Sequence, residues 1–243
     1  MFNLFRKKDV SAAVMPFETD IHCHIVPGVD DGSPDAAISA EIVERLGAMG
    51  VRRIIASPHV TQDTFENTPE VLDHALAELH AEIEKRGIEV EVSRSCEYRL
   101  DEFFQSQLKA GNITPYPGNY LLVENSFFSE VWNLEAVLFD LKVKGYKPVL
   151  AHPERYMYYD RARYDKLHGV GTLFQVNMLS LAGFYGPAQK KNALYLLEKG
   201  YVDFLGTDIH NHRHVDAIDA YLKSRDYAKI ASHLTIGNDS LIR

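Results

Sequence analysis

Short apolar, β-branched runs alternate with longer amphipathic segments along most of the chain. The runs are RRIIAS (52–57), EVEVS (89–93), YLLV (120–123), PVLA (148–151), LFQVN (173–177), DFLG (203–206) and, more weakly, LTIG (234–237). Their length and composition fit strands. Between them, DAAISAEIVERLGAMG ends on a glycine stop, and PEVLDHALAELHAEIEKRG and PAQKKNALYLLEKG run from proline to glycine, as helices do. Such alternation predicts parallel strands joined by helical crossovers. About seven units favour a closed α/β barrel over an open sheet.

One domain suffices for the 243 residues. Residues 1–15 read as a flexible leader and 16–243 as the single domain. The leader has a basic cluster but no apolar core of signal-peptide length. No apolar run approaches the roughly 18–20 residues of a membrane helix, so stable membrane insertion is not expected. The net charge of −8 argues against a broad nucleic-acid-binding face, although metal ions and a few arginines can still make a local anion pocket. Two cysteines make no disulfide framework, which points to a reducing cytoplasm.

The chemistry sits where the strands end. In Asp20-Ile21-His22-Cys23-His24, side chains repeat every second residue on a strand, so His22 and His24 share a face and can reach one metal ion. His59 follows RRIIASP, Glu97 follows EVEVSRSC, and Glu124 follows YLLV. His152 follows PVLA, while Asp208 and His210 follow VDFLG. In a parallel barrel these strand ends share one rim, the usual location of active sites. Any one of them could instead cap a helix or bond a loop carbonyl. The same coincidence on strand after strand is better explained by a metal centre. Mixed imidazole and carboxylate donors suit zinc, manganese or iron, and a bridged cluster can activate water for in-line phosphoryl transfer.

Arg155 in HPERY and Arg213 in DIHNHR follow the candidate ligands closely, and a guanidinium fork fits phosphate oxygens; a surface salt bridge is the bland alternative. His74, His80, His168 and His233 read as structural, and His212 and His214 as either pocket or solvated loop. Cysteine-phosphatase chemistry needs arginine six residues after the cysteine, but Val29 and Glu102 stand there. Cys23 and Cys96 therefore read as packing residues. There is no GxxxxGK[ST] loop and no GxSxG elbow.

The segments DIHCHIVPGVDDG, ASPH, SCEY, LLVEN, AHPERY and GTDIHNHR closely resemble the PHP-domain metallophosphatases, and among them the bacterial protein-tyrosine phosphatases of the CpsB/YwqE type, associated with capsule and exopolysaccharide synthesis. The resemblance implies a distorted (β/α)7 barrel, the PHP fold, holding three divalent ions, manganese first and iron or zinc otherwise. By position, His22, His24, Glu97 and Asp208 would hold one ion. Glu97 would bridge to a second, completed by Glu124 and His152, and Asp31, His59 and His210 would hold the third. Arg155 and Arg213 would grip phosphate, and with Asp208 they form the expected catalytic set. The implied activity is hydrolysis of phosphotyrosine by metal-activated water, with a tyrosine autokinase of polysaccharide export as substrate partner. A small-molecule PHP phosphatase of the histidinol-phosphate kind, a metal-dependent amidohydrolase and a non-catalytic PHP module are the rival readings. The oligomeric state is left open.

Overall fold

The structure, a computed structural model, describes residues 14–231 and 234–241. Among the described residues nine strand segments carry the fold: β1 (Thr19–Asp20), β2 (Arg53–Ala56), β3 (His59–Val60), β4 (Glu91–Arg94), β5 (Glu97–Arg99), β6 (Tyr120–Glu124), β7 (Lys147–Ala151), β8 (Leu173–Asn177) and β9 (Phe204–Gly206). Every pairing between them is parallel. One ladder runs β1-β2-β4, the other β3-β5-β6-β7-β8-β9.

The two ladders are one wall with two breaks. Ser57-Pro58 separates β2 from β3, and Ser95-Cys96 separates β4 from β5. The connection survives each break, because the Ser95 N–H donates to the Ala56 carbonyl at 2.8 Å and the Glu97 N–H to that of Pro58 at 3.0 Å. The wall then meets itself. Cys23 bridges Ile209 in parallel register, the His24 N–H donates to Ile209 at 2.9 Å, and the Asp208 N–H donates to His22 at 2.7 Å. The result is the expected distorted barrel of seven strand units.

The unit that completes the barrel is not the one the apolar pattern favoured. LTIG (234–237) forms no strand; Leu234 and Ile236 are partly buried against the core, and the Gly237 N–H caps the Asp203 carbonyl at 2.8 Å. The seventh unit is the segment from Thr19 to His24, whose alternating polar residues hide its strand character. Asp20 ties it to the neighbouring chain: the Thr207 hydroxyl donates to its carboxylate at 2.6 Å.

Helices α1 (Ala36–Ala48), α2 (Pro69–Arg86), α3 (Glu102–Ala110), α4 (Leu134–Val143), α5 (Arg161–Gly169), α6 (Met178–Ala182), α7 (Pro187–Glu198), α8 (His212–Leu222) and α9 (Arg225–Ala231) complete the order. Asp35 caps α1 by accepting from Ile38 N at 2.9 Å. Helix α2 starts on Pro69 and stops at left-handed Gly87, as its sequence implies. It buries Leu72, Ala75, Leu79 and Ile83, a stripe at helical spacing. Each fully buried leucine contributes about 1.5–3 kcal/mol. Of the expected leader, residues 1–13 lie outside the described residues, while Met15 is buried and bonds Met49 through its N–H at 2.8 Å.

Gly206 at the end of β9 shows how tightly the wall fits the rim. A Cβ there would lie 2.5 Å from His22 Cβ and 2.6 Å from Gln175 Nε2. Gly206→Ala is therefore expected to displace His22 or Gln175, costing about 1–3 kcal/mol and lowering metal affinity. Thermal unfolding and metal titration of the variant check this, and wild-type values in both would mean the contact is not restrictive.

Candidate metal centre

The carboxyl ends of the strands bring the sequence-predicted residues to one rim. His22 Nε2 lies 3.3 Å from Glu97 Oε2 and 3.5 Å from Asp208 Oδ1; His24 Nε2 lies 3.5 and 3.3 Å from the same atoms. The two imidazole nitrogens are 3.3 Å apart. Donors about 2.0–2.2 Å from a tetrahedral ion stand roughly 3.3–3.6 Å from each other, so this set has the spacing of a metal shell.

Glu97 sits at the centre of the whole cluster. Its Oε1 is 2.9 Å from His152 Nε2, and its Oε2 is 3.1 Å from His59 Nδ1. Glu124 adds a second carboxylate, 3.4 Å from His59 and 3.9 Å from His152. Beyond them His24, Asp31, His59 and His210 present donor atoms that lie mutually within 4.8 Å. Asp31 is 3.6 Å from both His59 and His210. His59 thus stands at the boundary of two groups, one nitrogen facing Glu97 and Glu124, the other Asp31.

The donor set fits divalent ions on a second ground. Among the described residues, both oxygens of Glu97 and one of Glu124 are buried with no aligned hydrogen-bond donor. Buried carboxylates are normally hydrogen-bonded or paired with cations, and an ion at the cluster would meet that need.

Other residues orient the donors, as metal-site histidines require. Gln175 Oε1 accepts from His22 Nδ1 at 2.7 Å, leaving Nε2 toward the cluster. Gln175 Nε2 donates to Asn177, and Asn177 Nδ2 donates to Asp208 Oδ2 at 2.6 Å. Asp30 holds His24 Nδ1 at 2.9 Å and also accepts the backbone N–H groups of His59 and Gly32. Asp30→Asn is expected to weaken metal binding about 10–100-fold, read by titration of the chelated protein with manganese; an unchanged affinity would leave Asp30 a loop-forming role only.

Electrostatics follow from this crowding. Burial alone would push the His22 and His24 imidazoles down, but Glu97 and Asp208 hold His22 up at about 9, and Asp30 and Asp208 hold His24 up at about 10. Burial raises Glu97 and Asp208, yet the surrounding imidazoles keep both well below the usual carboxylate range. His210 goes the other way, pressed down to about 4 by burial and by the neighbouring His24 charge. Metal binding at His22 and His24 must therefore displace protons.

Two donors sit on strained backbone. His152 has φ 33° and Asp208 φ 52°, left-handed values that cost non-glycine residues about 1–3 kcal/mol. His152 also precedes Pro153, which disfavours helical conformations at that position. Such strain persists where the surrounding structure over-determines it, typically at functional sites.

Arg155 reaches the same rim. Its Nη1 donates to Asp208 Oδ2 at 2.7 Å, and its guanidinium lies between Phe127 (4.5 Å) and Tyr185 (4.1 Å). Burial opposes its charge, but Asp208, together with Tyr185, Glu154 and Glu97, holds the guanidinium above its ordinary value. Arg213 is exposed on the first turn of α8, 5.6 Å from the Phe184 ring, and among the described residues it makes no polar contact to the cluster. His214 Nδ1 lies 3.2 Å from the Asp208 carbonyl and belongs to the rim, whereas His212 points to Glu41 at 3.2 Å. His74 and His80 are exposed on α2, and His168 stacks on Tyr201 at 4.0 Å; His233 lies outside the described residues. Cys23 and Cys96 are free and buried, and burial pushes both thiols up, Cys96 to about 11, so neither is a thiolate nucleophile.

Sequence reasoning missed Asp30, Arg99, Phe127, Gln175, Asn177 and Tyr185. Gln175 and Asn177 had a legible signal, two amides at i and i+2 in an apolar strand; Phe127 and Tyr185 lie in loops with none.

A parallel barrel with this cluster at its carboxyl rim defines a metal-dependent hydrolase. Residues 18–242 match the family described as capsular polysaccharide synthesis, CpsB/CapC, and the chain belongs to that family. It is 34% identical over 195 residues to the tyrosine-protein phosphatase YwqE of Bacillus subtilis, covering 79% of this chain and 77% of that one. It is 28% identical over 200 residues to the tyrosine-protein phosphatase CpsB of Streptococcus agalactiae, covering 79% and 82%. It also superimposes with a TM-score of 0.75 on a structure from a study of YwqE from Bacillus subtilis and CpsB from Streptococcus pneumoniae, described as unique metal-dependent tyrosine phosphatases. Identity there is 31%, over 89% of this chain and 93% of that chain. A lactonase from Listeria monocytogenes, 12% identical with a TM-score of 0.57 over 95% of this chain and 92% of its own, shares the fold alone.

Proposed function

We propose that this chain is a metal-dependent protein-tyrosine phosphatase of the cytoplasm, acting on a tyrosine autokinase of capsular or exopolysaccharide synthesis. The observation that carries the reading is the joint placement of Glu97 at the centre of the imidazole cluster and of Arg155 at its edge. Family membership and the named activities of YwqE and CpsB support it. No helix among the described residues is long and apolar enough to cross a membrane.

Three ions are assigned, manganese first. His22, His24, Glu97 and Asp208 would hold one, Glu97 with Glu124 and His152 a second, and Asp31, His59 and His210 the third. When bound, such ions lower the pKa of water toward about 7 and neutralise phosphoryl charge. The chain's own residues do the rest. Arg155 offers the guanidinium edge not used by Asp208 to the phosphoryl oxygens, and its aromatic clamp holds that edge in place. Arg213 serves as a second grip from the first turn of α8. The Gln175–Asn177 amides and Asp30 fix the donors, so that little reorganisation is left for the reaction. Phenolate, with a pKa of about 10, is a moderate leaving group.

The rim favours a polypeptide substrate over a small phosphomonoester. Phe127, stacked on His152 at 5.5 Å, is exposed at the rim, and Phe128 and Trp132 on the same loop are more than nine-tenths exposed. Tyr156 and Tyr159, in the segment after Arg155, are buried. Rates on a phosphotyrosine peptide, histidinol phosphate and an amide substrate test the assignment. The peptide should be preferred. A preference for histidinol phosphate would move the protein to the small-molecule phosphatases, and amide cleavage to the amidohydrolases.

A further inference from the structure

Arg99 ends β5 on the far side of Glu124 from Arg155. Its Nε donates to Glu124 Oε1 at 3.0 Å, which anchors the guanidinium beside the cluster. Among the described residues neither Nη group has a hydrogen-bond partner. The side chain is 23% exposed and forms one wall of a cavity of about 330 Å³, whose other polar walls include Thr61, Gln62, Ser126 and Ser129.

Two carboxylates also line this space, and both are committed elsewhere. Asp101 accepts the backbone N–H groups of Gln62 (2.9 Å) and Phe104 (2.8 Å), capping α3. Glu130 is gripped by Arg163 at 2.6 and 2.9 Å and by the Tyr159 hydroxyl. What remains to face an incoming group is the free edge of a guanidinium, the Gln62 amide and three hydroxyls. That lining is matched to an anion, since arginine's planar fork pairs with carboxylate or phosphate in two-point contact.

We propose that this cavity is a subsite for an acidic side chain flanking the phosphotyrosine of the substrate, with Arg99 as its specificity-determining residue. The inference rests on the tyrosine-phosphatase reading and deepens it. Glu124 alone separates Arg99 from His59 and the cluster, 3.0 Å on one side and 3.4 Å on the other. An anion at Arg99 is therefore beside the reacting phosphate without competing for Arg155. A peptide laid across the rim puts its phosphate at the metal side and a neighbouring residue in the cavity.

The test compares kcat/KM of the full chain on phosphotyrosine peptides in sets of three, each set carrying Glu, Ala or Lys at one of the four positions one or two residues to either side of the phosphotyrosine. The wild type should prefer Glu over Ala by about fivefold to tenfold at one of these positions, mainly through KM, and should disfavour Lys there. In Arg99→Gln the Glu-to-Ala ratio should fall to about one, whatever happens to the absolute rates, because the ratio cancels any general loss from disturbing Glu124. Ser129→Trp, which fills the cavity while leaving the Arg99 side chain unchanged, should flatten the same ratio. Equal wild-type rates on the three peptides of every set, or a preference that survives Arg99→Gln, would overturn the subsite. Hydrolysis of none of the peptides alongside turnover of p-nitrophenyl phosphate would overturn the tyrosine-phosphatase reading instead, and the subsite with it.

Discussion

In Glu97→Gln, turnover of a phosphotyrosine peptide is expected to fall by at least about 10³-fold, with metal content falling in step. Glu97 touches four of the imidazoles: His152 through one oxygen, and His22, His24 and His59 through the other, at 2.9–3.5 Å. Glutamine keeps the shape but removes the charge and turns one acceptor into an NH2 donor that cannot ligate. The ions it would have bridged stabilise phosphoryl charge by several kcal/mol, and each 1.4 kcal/mol is tenfold in rate. Steady-state kinetics and elemental analysis of the same preparation check the result. A variant that retains its metal and its rate would remove Glu97 from the centre.

Arg155→Ala is expected to lower kcat/KM on the same peptide by about 10²–10³-fold while leaving metal content near wild type. Preorganised donors aimed at developing charge carry effects of that size. The guanidinium is held by Asp208 and by the rings of Phe127 and Tyr185 before any substrate arrives. Asp208 does not depend on it, because Asn177 and Tyr185 also donate to its Oδ2 at 2.6 and 3.1 Å. Rate and metal should therefore separate in this variant, unlike in Glu97→Gln. Loss of metal in proportion to rate would show that Arg155 supports the ligand cage rather than the substrate.

Much of this was legible in the chain, for a physical reason. A barrel strand must be apolar where it is buried and functional where it ends, so YLLV-Glu124 and PVLA-His152 announce both strand and site. The seventh strand was hidden by the same logic carried further. From Thr19 to His24 the segment carries Asp20, His22 and His24, all buried, and hydrogen bonds and candidate ligation replace apolar burial there. LTIG has the composition of a strand but packs Leu234 and Ile236 from a loop. The orienting shell was legible in part: Gln175 and Asn177 break an apolar run at the spacing of one strand face. Asp30 and Asp31 are adjacent and chemically alike, and only the backbone trace decides that Asp30 turns inward on His24 while Asp31 faces outward at 61% exposure. Arg99 reads as the polar end of a strand, and its importance depends on Glu124, a residue 25 positions away.

The most direct test of a metal-dependent phosphotyrosine hydrolase is one paired measurement on the purified chain: ions per chain by elemental analysis, and phosphate release from a phosphotyrosine peptide before chelation, after it, and after manganese is restored. Two or three ions per chain are expected, with activity that disappears on chelation and returns with metal. Folded protein that binds no metal, or that releases phosphate equally well after complete chelation, would contradict it.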